Sequence, residues 1–143
     1  MPKSRQAVIA AAGAAIHAYQ RSTPAFDDAV GRALGLNATD VRCLDWLVDG
    51  PKSAGELGRG TGLSSAATTS LIDRLEEKGY VRRVADAADR RRVLVEMTPE
   101  GRERVFRFYG ALSAEGIYLL DGFSTDDIER MAGWLDAARE LTD

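Results

Sequence analysis

Residues 63–98 have the sequence LSSAATTSLIDRLEEKGYVRRVADAADRRRVLVEMT, and this stretch decides the fold of the chain. Ser64 is the expected N-cap of a helix that ends at Lys78 and Gly79, because a lysine suits the negative end of the helix dipole and a glycine readily forms a left-handed cap. Two segments rich in Val and Arg follow, at 80–85 and 92–97, and are typical of antiparallel strands. The stretch predicts a helix of about four turns and a β-ribbon with a basic tip.

The predicted helix has two distinct faces. Spacings of three and four residues define an inward, mostly apolar face, formed by Thr68, Leu71, Ile72 and Leu75. The outward face carries small or hydrogen-bonding side chains near its N-terminal half: Ser65, Ala66, Thr69, Ser70 and Asp73. Small side chains of this kind suit a helix that lies deep in a DNA major groove.

A short helix before residue 63 completes a helix-turn-helix. Ser53 and Glu56 form the signature of a capping box, and Leu57 is the expected core residue. Three glycines, Gly58, Gly60 and Gly62, are expected to end this helix in a tight turn. A short helix, a glycine-containing turn and a second amphipathic helix are the elements of a helix-turn-helix.

Further helices are predicted before this central part. Apolar periodicity indicates a helix from Ser4 to about Arg21, which Pro24 ends or redirects, and a shorter helix over 27–34. Thr39 or Asp40 is expected to open the next helix. Its apolar residues are predicted to point mostly one way: Val41, Leu44, Trp46 and Leu47.

Two helices are predicted after the β-ribbon. Thr98 is the expected N-cap of the first, with Pro99 at its first position, and it extends to about Leu120. Ser124 caps the second, whose apolar stripe consists of Ile128, Met131, Leu135 and Ala138, with Trp134 beside it. The fold class is therefore mainly α with a small β-ribbon, in one unit of 143 residues.

The charge of the chain is unevenly distributed. The net charge is -3, but residues 61–92 carry seven Lys or Arg against five Asp or Glu, whereas residues 93–143 carry eleven acidic residues against five arginines. A positive segment on an acidic body favours one nucleic-acid docking face.

Several classes of protein are disfavoured. One Cys and one His make a zinc site improbable, and no nucleophile-base pair or phosphate-cradling glycine loop is recognisable, so we expect no catalytic residues, metal or cofactor. The lone Cys43, the lack of an N-terminal signal pattern and the absence of an apolar run of about 20 residues favour a cytoplasmic protein without a membrane span.

The chain resembles the MarR family, the bacterial regulators named for multiple antibiotic resistance. The resemblance runs from Ser4 to Leu141 and is most specific over 56–101, in the segments ELGRGTGLSSAATTSLIDRLEEKGYVRR, DAADRRR and VLVEMTPEG. It implies a homodimeric winged helix-turn-helix repressor, with residues 39–98 as the DNA-binding part and residues 4–34 and 99–142 as the helical dimerisation part. The apolar stripes of the terminal helices also favour a dimer. Its two-fold symmetry predicts a pseudo-palindromic operator with half-sites about one helical turn apart.

The resemblance also implies roles in DNA binding. Arg91 would enter the minor groove, held by Asp89, while Arg90 and Arg92 touch phosphates or remain in solvent. In the recognition helix, Arg74 would reach a phosphate. The other DNA contacts expected in this helix are made by its N-cap Ser64 and by four residues after it: Ser65, Ala66, Thr69 and Ser70. The chain departs from many relatives at Ala88 and Ser70, where they carry arginine and a longer basic residue.

An effector site is implied as well, since members of the family often bind small phenolic or aromatic anions between the dimer helices and the winged domain. The candidate contacts here are His17, Tyr19, Phe26 and Trp46, although such residues also serve as core or interface. Cys43 is expected to be a buried, inert thiol because redox-sensing relatives usually keep their reactive thiol near the start of the first helix.

Two other functions stay open at this stage. The winged domain could serve as a dimerisation or protein-docking module without operator binding, and the +2 charge of residues 61–92 leaves room for that. An enzyme is the least favoured function.

Overall fold

The computed structural model describes residues 1–142 and is mainly helical, with one two-stranded antiparallel sheet. Its elements are α1 (Arg5–Leu34), α2 (Ala38–Trp46), α3 (Ala54–Thr61), α4 (Ser65–Glu77), β1 (Val81–Ala85), β2 (Val93–Met97), α5 (Pro99–Tyr118) and α6 (Thr125–Glu140). The fold class predicted from the sequence is confirmed. The chain forms two compact units, one from residue 1 to Val105 and one from Phe106 onward.

Helix α1 is continuous over 30 residues and contains Pro24 in its interior, so the predicted break at this proline is wrong. The hydroxyls of Ser22 and Thr23 donate to the Tyr19 carbonyl at 2.7 and 3.0 Å. Proline lacks the N–H that would donate to the carbonyl of residue 20, and the two hydroxyls bond the carbonyl one residue earlier. The helix ends at Gly35, whose φ of 69° is the left-handed cap that glycine favours.

The next helix, α2, begins earlier than predicted. Asn37 is its N-cap and forms a reciprocal capping box with Asp40, through bonds of 2.9 and 3.1 Å. An asparagine followed three residues later by an aspartate can satisfy two free backbone N–H groups, which explains the earlier start.

The predicted inward face of α2 is correct except at Trp46. Val41, Leu44 and Leu47 are buried, whereas Trp46 is 46% exposed. The indole of Trp46 instead packs over the backbone of Gly60 in α3, where the ring leaves no room for a β-carbon. The tryptophan therefore joins α2 to α3 at the surface of the unit.

Helix α3 starts with the predicted capping box between Ser53 and Glu56. The predicted turn at three glycines is wrong in part, because Gly58 and Gly60 lie inside the helix. Of the three, Gly62 alone adopts a positive φ, 72°. The two internal glycines allow close packing: a β-carbon on Gly58 would lie 3.0 Å from the Thr68 hydroxyl, and Gly60 faces Trp46.

The inward face of α4 is confirmed. Its four predicted residues, Thr68, Leu71, Ile72 and Leu75, are each at most 2% exposed. The buried Thr68 satisfies its hydroxyl by donating to the Ser64 carbonyl at 2.8 Å. This face and the leucines of α2 and α3 form much of the core of the first unit, which orients α4 so that its opposite side meets solvent.

The ribbon pairs Val81 with Met97 and Ala85 with Val93, which confirms the predicted hairpin within one residue at the start of each strand. Thr98 then caps α5 by accepting a hydrogen bond of 2.9 Å from the Gly101 N–H. Its hydroxyl also donates to the Gly79 carbonyl at 2.6 Å. One threonine thus connects the end of the ribbon with the end of α4.

The second unit comprises the rest of α5 and α6, which Ser124 caps as predicted. No described residue of α6 is buried. The exposed large apolar side chains of this unit include Leu112, Ile117, Leu119, Phe123, Trp134 and Leu135. Helix α5 ends at Tyr118, two residues before its predicted end. Across residues 1–142, no helix combines the length and apolar character that a membrane span needs.

Candidate nucleic-acid interface

The N-terminal edge of α4 presents the small side chains that the sequence predicts. Ser64, Ser65, Ala66, Thr69 and Ser70 are all exposed. Ser64 accepts a hydrogen bond from the Ala67 N–H at 3.2 Å and thereby caps the helix. Thr69 donates to the Ser65 carbonyl at 3.0 Å. No hydrogen bond within residues 1–142 uses the Ser65 or Ser70 hydroxyl, so both are available to bases or phosphates.

Arg74 lies further along α4 and has an internal partner. Its guanidinium forms an ion pair with Asp40, a carboxylate that is only 1% exposed. The same carboxylate caps α2, so this contact connects the start of α2 with the recognition helix. The phosphate contact of Arg74 remains a prediction, and a phosphate would have to compete with Asp40.

The turn between the strands is shaped by two aspartates. The Asp86 carboxylate accepts from the Ala88 N–H at 2.9 Å, and the Asp89 carboxylate accepts from the Arg91 N–H at 3.1 Å. Such turns, in which an aspartate bonds the backbone two residues on, fix the local chain direction. Asp89 therefore orients the backbone of Arg91 and leaves its guanidinium free.

The three arginines of the wing tip differ in their surroundings. Arg90 and Arg91 are exposed, and neither side chain has an ion-pair or hydrogen-bond partner within residues 1–142. The Arg92 guanidinium lies 3.9 Å from Glu56 and 3.9 Å from Asp86. The Arg92 side chain is nevertheless 54% exposed, so the expectation that it touches phosphates or stays in solvent remains a prediction.

Arg83 joins the wing to α4, a role that sequence reasoning missed. Its guanidinium bonds Asp73 at 2.6 Å and Glu76 at 2.9 Å, and its backbone N–H donates to Glu76 at 3.1 Å. The hydrogen bond to Asp73 is the main cause that raises the pKa of Arg83. Asp73, expected on the groove-facing side, therefore braces the wing. The sequence did contain a signal for this contact: two acidic residues three positions apart on one helix, followed by an arginine on the next strand.

The four candidate effector contacts do not form an enclosed site in the described protomer. His17 and Tyr19 are exposed on α1, Phe26 is half-buried and Trp46 packs on Gly60. A groove of about 420 Å³ lies between α3 and α4, and none of these four residues lines it. Within residues 1–142, no cluster of three or more His, Cys, Asp or Glu could hold a metal ion.

Cys43 is fully buried, as expected for a packing thiol. Burial, with a smaller effect of the nearby Asp40 charge, raises the pKa of Cys43 to about 12. At neutral pH the side chain is a protonated thiol, and thiols in that state are poor nucleophiles.

A helix-turn-helix with an exposed, small-residue edge and a basic wing beside it defines a winged helix-turn-helix DNA-binding protein. Comparison with known proteins agrees. Residues 34–92 match the MarR family model. YcgE, a helix-turn-helix transcriptional regulator of Bacillus subtilis (strain 168), is 36% identical over 120 residues, which cover 83% of this chain and 78% of YcgE. The chain belongs to the MarR family of transcriptional regulators.

Solved structures show the same fold. A MarR family protein from Bacillus stearothermophilus has a TM-score of 0.68 at 20% identity, over 99% of this chain and 100% of that one. The transcriptional regulator BldR from Sulfolobus solfataricus has a TM-score of 0.59 at 25% identity, over 97% and 99% of the two chains.

Proposed function

We propose that the protein is a homodimeric repressor that binds a pseudo-palindromic operator and is released by a small molecule. The observation that carries this proposal is the pairing of an exposed, small-residue edge on α4 with two unpaired arginines at the wing tip. The edge can approach base edges in the major groove, and the arginines can reach the adjacent backbone or minor groove. Family membership supports the same function.

The wing contributes a minor-groove contact through Arg91. Asp89 fixes the backbone at this position, and the free guanidinium can enter a narrow groove where the negative potential is enhanced. Such a contact responds to groove width more than to base identity, so the sequence preference of the protein comes mainly from α4. Arg90 contacts a neighbouring phosphate.

A second copy of the chain covers the apolar surfaces of α1, α5 and α6. Exposed large apolar side chains such as Ile9 (55%), Ile117 (64%) and Leu135 (60%) exceed what a monomer in water usually leaves uncovered. A two-fold dimer would present two α4 helices to half-sites about one helical turn apart.

The effector is proposed to bind near His17, Tyr19, Phe26 and Trp46. Two of these are exposed, Phe26 is half-buried and Trp46 is about half exposed, so a ligand could reach them. A small phenolic or aromatic anion bound there would release DNA by changing the spacing of the two recognition helices. Like the dimer, the ligand class follows from the family.

The experiment that tests operator binding is an electrophoretic shift assay at moderate salt. It compares a fragment from the protein's own promoter region with random duplex of equal length. We expect a clear preference for the promoter fragment and a loss of roughly tenfold or more in affinity for Arg91→Ala. Arg42→Ala, an exposed arginine of α2, is the matched control and should bind like the wild type.

The alternative function is a protein-docking module that does not bind an operator. Equal affinity of the wild type for promoter and random DNA would favour that alternative. Wild-type affinity in Arg91→Ala would remove the minor-groove contact while leaving operator binding itself intact.

A further inference from the structure

The groove between α3 and α4 borders the DNA-facing edge of α4. Ser65 and Thr69 belong both to that edge and to the lining of the groove. On the α3 side the lining includes Gly55 and Gly58, which have no side chains, so the backbone of α3 is accessible. The groove has a volume of about 420 Å³ and is open to solvent. A strand of DNA that borders α4 could therefore enter it.

Arg59 is the charged residue of this lining. Its side chain is exposed and has no hydrogen-bond or ion-pair partner within residues 1–142. The guanidinium is folded back along α3, with Nη1 3.6 Å from the position that a β-carbon on Gly55 would occupy. The cation therefore lies against the first turn of α3, beside the groove.

The electrostatics of the groove select an anion. None of its lining residues is acidic, and the nearest acid in sequence, Glu56, accepts a hydrogen bond from the Ser53 N–H at 2.7 Å and lies 3.9 Å from Arg92. An unneutralised guanidinium next to hydroxyl donors is well suited to a phosphate oxygen, because hydrogen bonds between an arginine and phosphate are charge-assisted.

We propose that this groove binds a phosphodiester of the DNA strand that borders the major groove occupied by α4, with Arg59 as its cation and Ser65 and Thr69 as hydroxyl partners. The inference rests on the proposed function. In helix-turn-helix proteins the first helix crosses the DNA backbone, and backbone contacts fix the register of the recognition helix. Arg59 thus positions α4 on the operator without reading a base.

The test is a salt titration of promoter binding for the wild type, Arg59→Gln and Arg59→Lys, with Arg42→Gln as the matched control. Each lost phosphate contact should reduce the magnitude of the slope of log K against log salt by about 0.9. Arg59→Gln should therefore bind several-fold more weakly at low salt, and this deficit should shrink about threefold per lost contact between 50 and 200 mM salt. Arg59→Lys should keep the wild-type slope. Thermal unfolding checks that the variants are folded.

A second arm uses operator fragments in which single phosphates are replaced by neutral methylphosphonates. The wild type should lose affinity at one phosphate that flanks each half-site, and Arg59→Gln should show no further loss there. Unchanged slope and an unchanged methylphosphonate profile in Arg59→Gln would overturn the phosphate site, even though the wild type prefers its promoter. A wild type without promoter preference would instead reject operator binding itself.

Discussion

At the scale of single residues, the ion pair between Asp40 and Arg74 joins α2 to α4. Asp40 is the buried charged residue of the described chain, and the Arg74 Nε atom is buried without a hydrogen-bond partner. A buried charge that loses its partner is costly, so neither side chain can be removed alone without consequence. Because Arg74 is on the recognition helix, the pair also fixes how α4 is seated on α2.

We expect Asp40→Asn to destabilise the protein by about 1–3 kcal/mol, since the asparagine keeps an oxygen for the α2 cap but replaces a charge-assisted hydrogen bond to Arg74, whose side chain is 40% exposed, by a weaker neutral one. Asn37→Ala is the matched control, because it removes the cap alone and should cost about 1 kcal/mol. Urea unfolding measures both. If Asp40→Asn lowers the free energy of unfolding by less than about 0.5 kcal/mol, the ion pair does not contribute to stability.

Cys43 should be chemically silent in the folded protein. Its pKa of about 12 lies above the ordinary thiol value of 9.0, so at a given pH the folded state holds about a thousandfold less thiolate than an unfolded chain. Labelling by a thiol reagent at pH 8 should be slow until urea unfolds the protein. Rapid labelling without denaturant would contradict this and favour an accessible, redox-active cysteine.

The raised pKa of Cys43 also makes the stability of the protein depend on pH in alkaline solution. The folded state keeps the Cys43 proton above pH 9, whereas the unfolded chain releases it. The contribution of the thiol to the free energy of unfolding is therefore fully present below pH 9 and is lost as the pH rises from 9 towards 12. The difference in unfolding free energy between the wild type and Cys43→Ala should narrow over that range.

At the scale of elements, α3 is positioned by its glycines. Gly60 faces the Trp46 ring, whereas a β-carbon at Gly55 would meet only ordinary van der Waals contacts at 3.6 and 3.9 Å. We expect Gly60→Ala to destabilise the protein by about 1–3 kcal/mol because the indole must move. Gly55→Ala should be neutral or stabilise by up to about 1 kcal/mol.

Thermal unfolding and Trp46 fluorescence in a Trp134→Phe background would check this pair of variants. A shifted emission maximum in Gly60→Ala but not in Gly55→Ala would identify the displaced indole. Equal stability of the two variants would show that α3 has room to move away from α2.

The wing is held to the helix-turn-helix at two places. Arg83 connects β1 to Asp73 and Glu76 of α4, and Arg92 lies between Glu56 of α3 and Asp86. Exposed ion pairs contribute little to stability individually. Together these pairs connect the wing to both helices of the helix-turn-helix.

At the scale of the whole molecule, the apolar surface of α6 determines the proposed assembly. Leu135 is 60% exposed in the protomer, so replacing it should not disturb folding within one chain. We expect Leu135→Glu to convert a dimer into a monomer and to abolish operator binding, because a carboxylate would be buried at the interface. Light scattering coupled to size exclusion measures the mass.

Ala137→Glu is the matched control for that experiment, since position 137 is exposed and lies about 200° around the helix from position 135. It should remain a dimer and bind DNA. A wild type that is monomeric at micromolar concentration, or an unchanged mass in Leu135→Glu, would reject α6 as part of the interface.

The sequence by itself determined the helix-turn-helix, the inward face of α4, the capping box of α3 and the hairpin. These features depend on interactions between residues a few positions apart, or on a period that one segment displays. The exposed edge of α4 followed from the same helical period. The wing-tip residues Asp89, Arg90 and Arg91 were singled out by the family resemblance, and their contacts with DNA remain predictions.

The tertiary structure alone decided the features that depend on distant partners. Pro24 stays within α1, Gly60 accommodates Trp46, Asp40 meets Arg74 across 34 positions, and Arg83 meets Asp73. No local pattern specifies such contacts, because they arise when packing brings separate segments together. The opening stretch therefore determined which surface could contact DNA, and packing determined which of its charged residues remain free to do so.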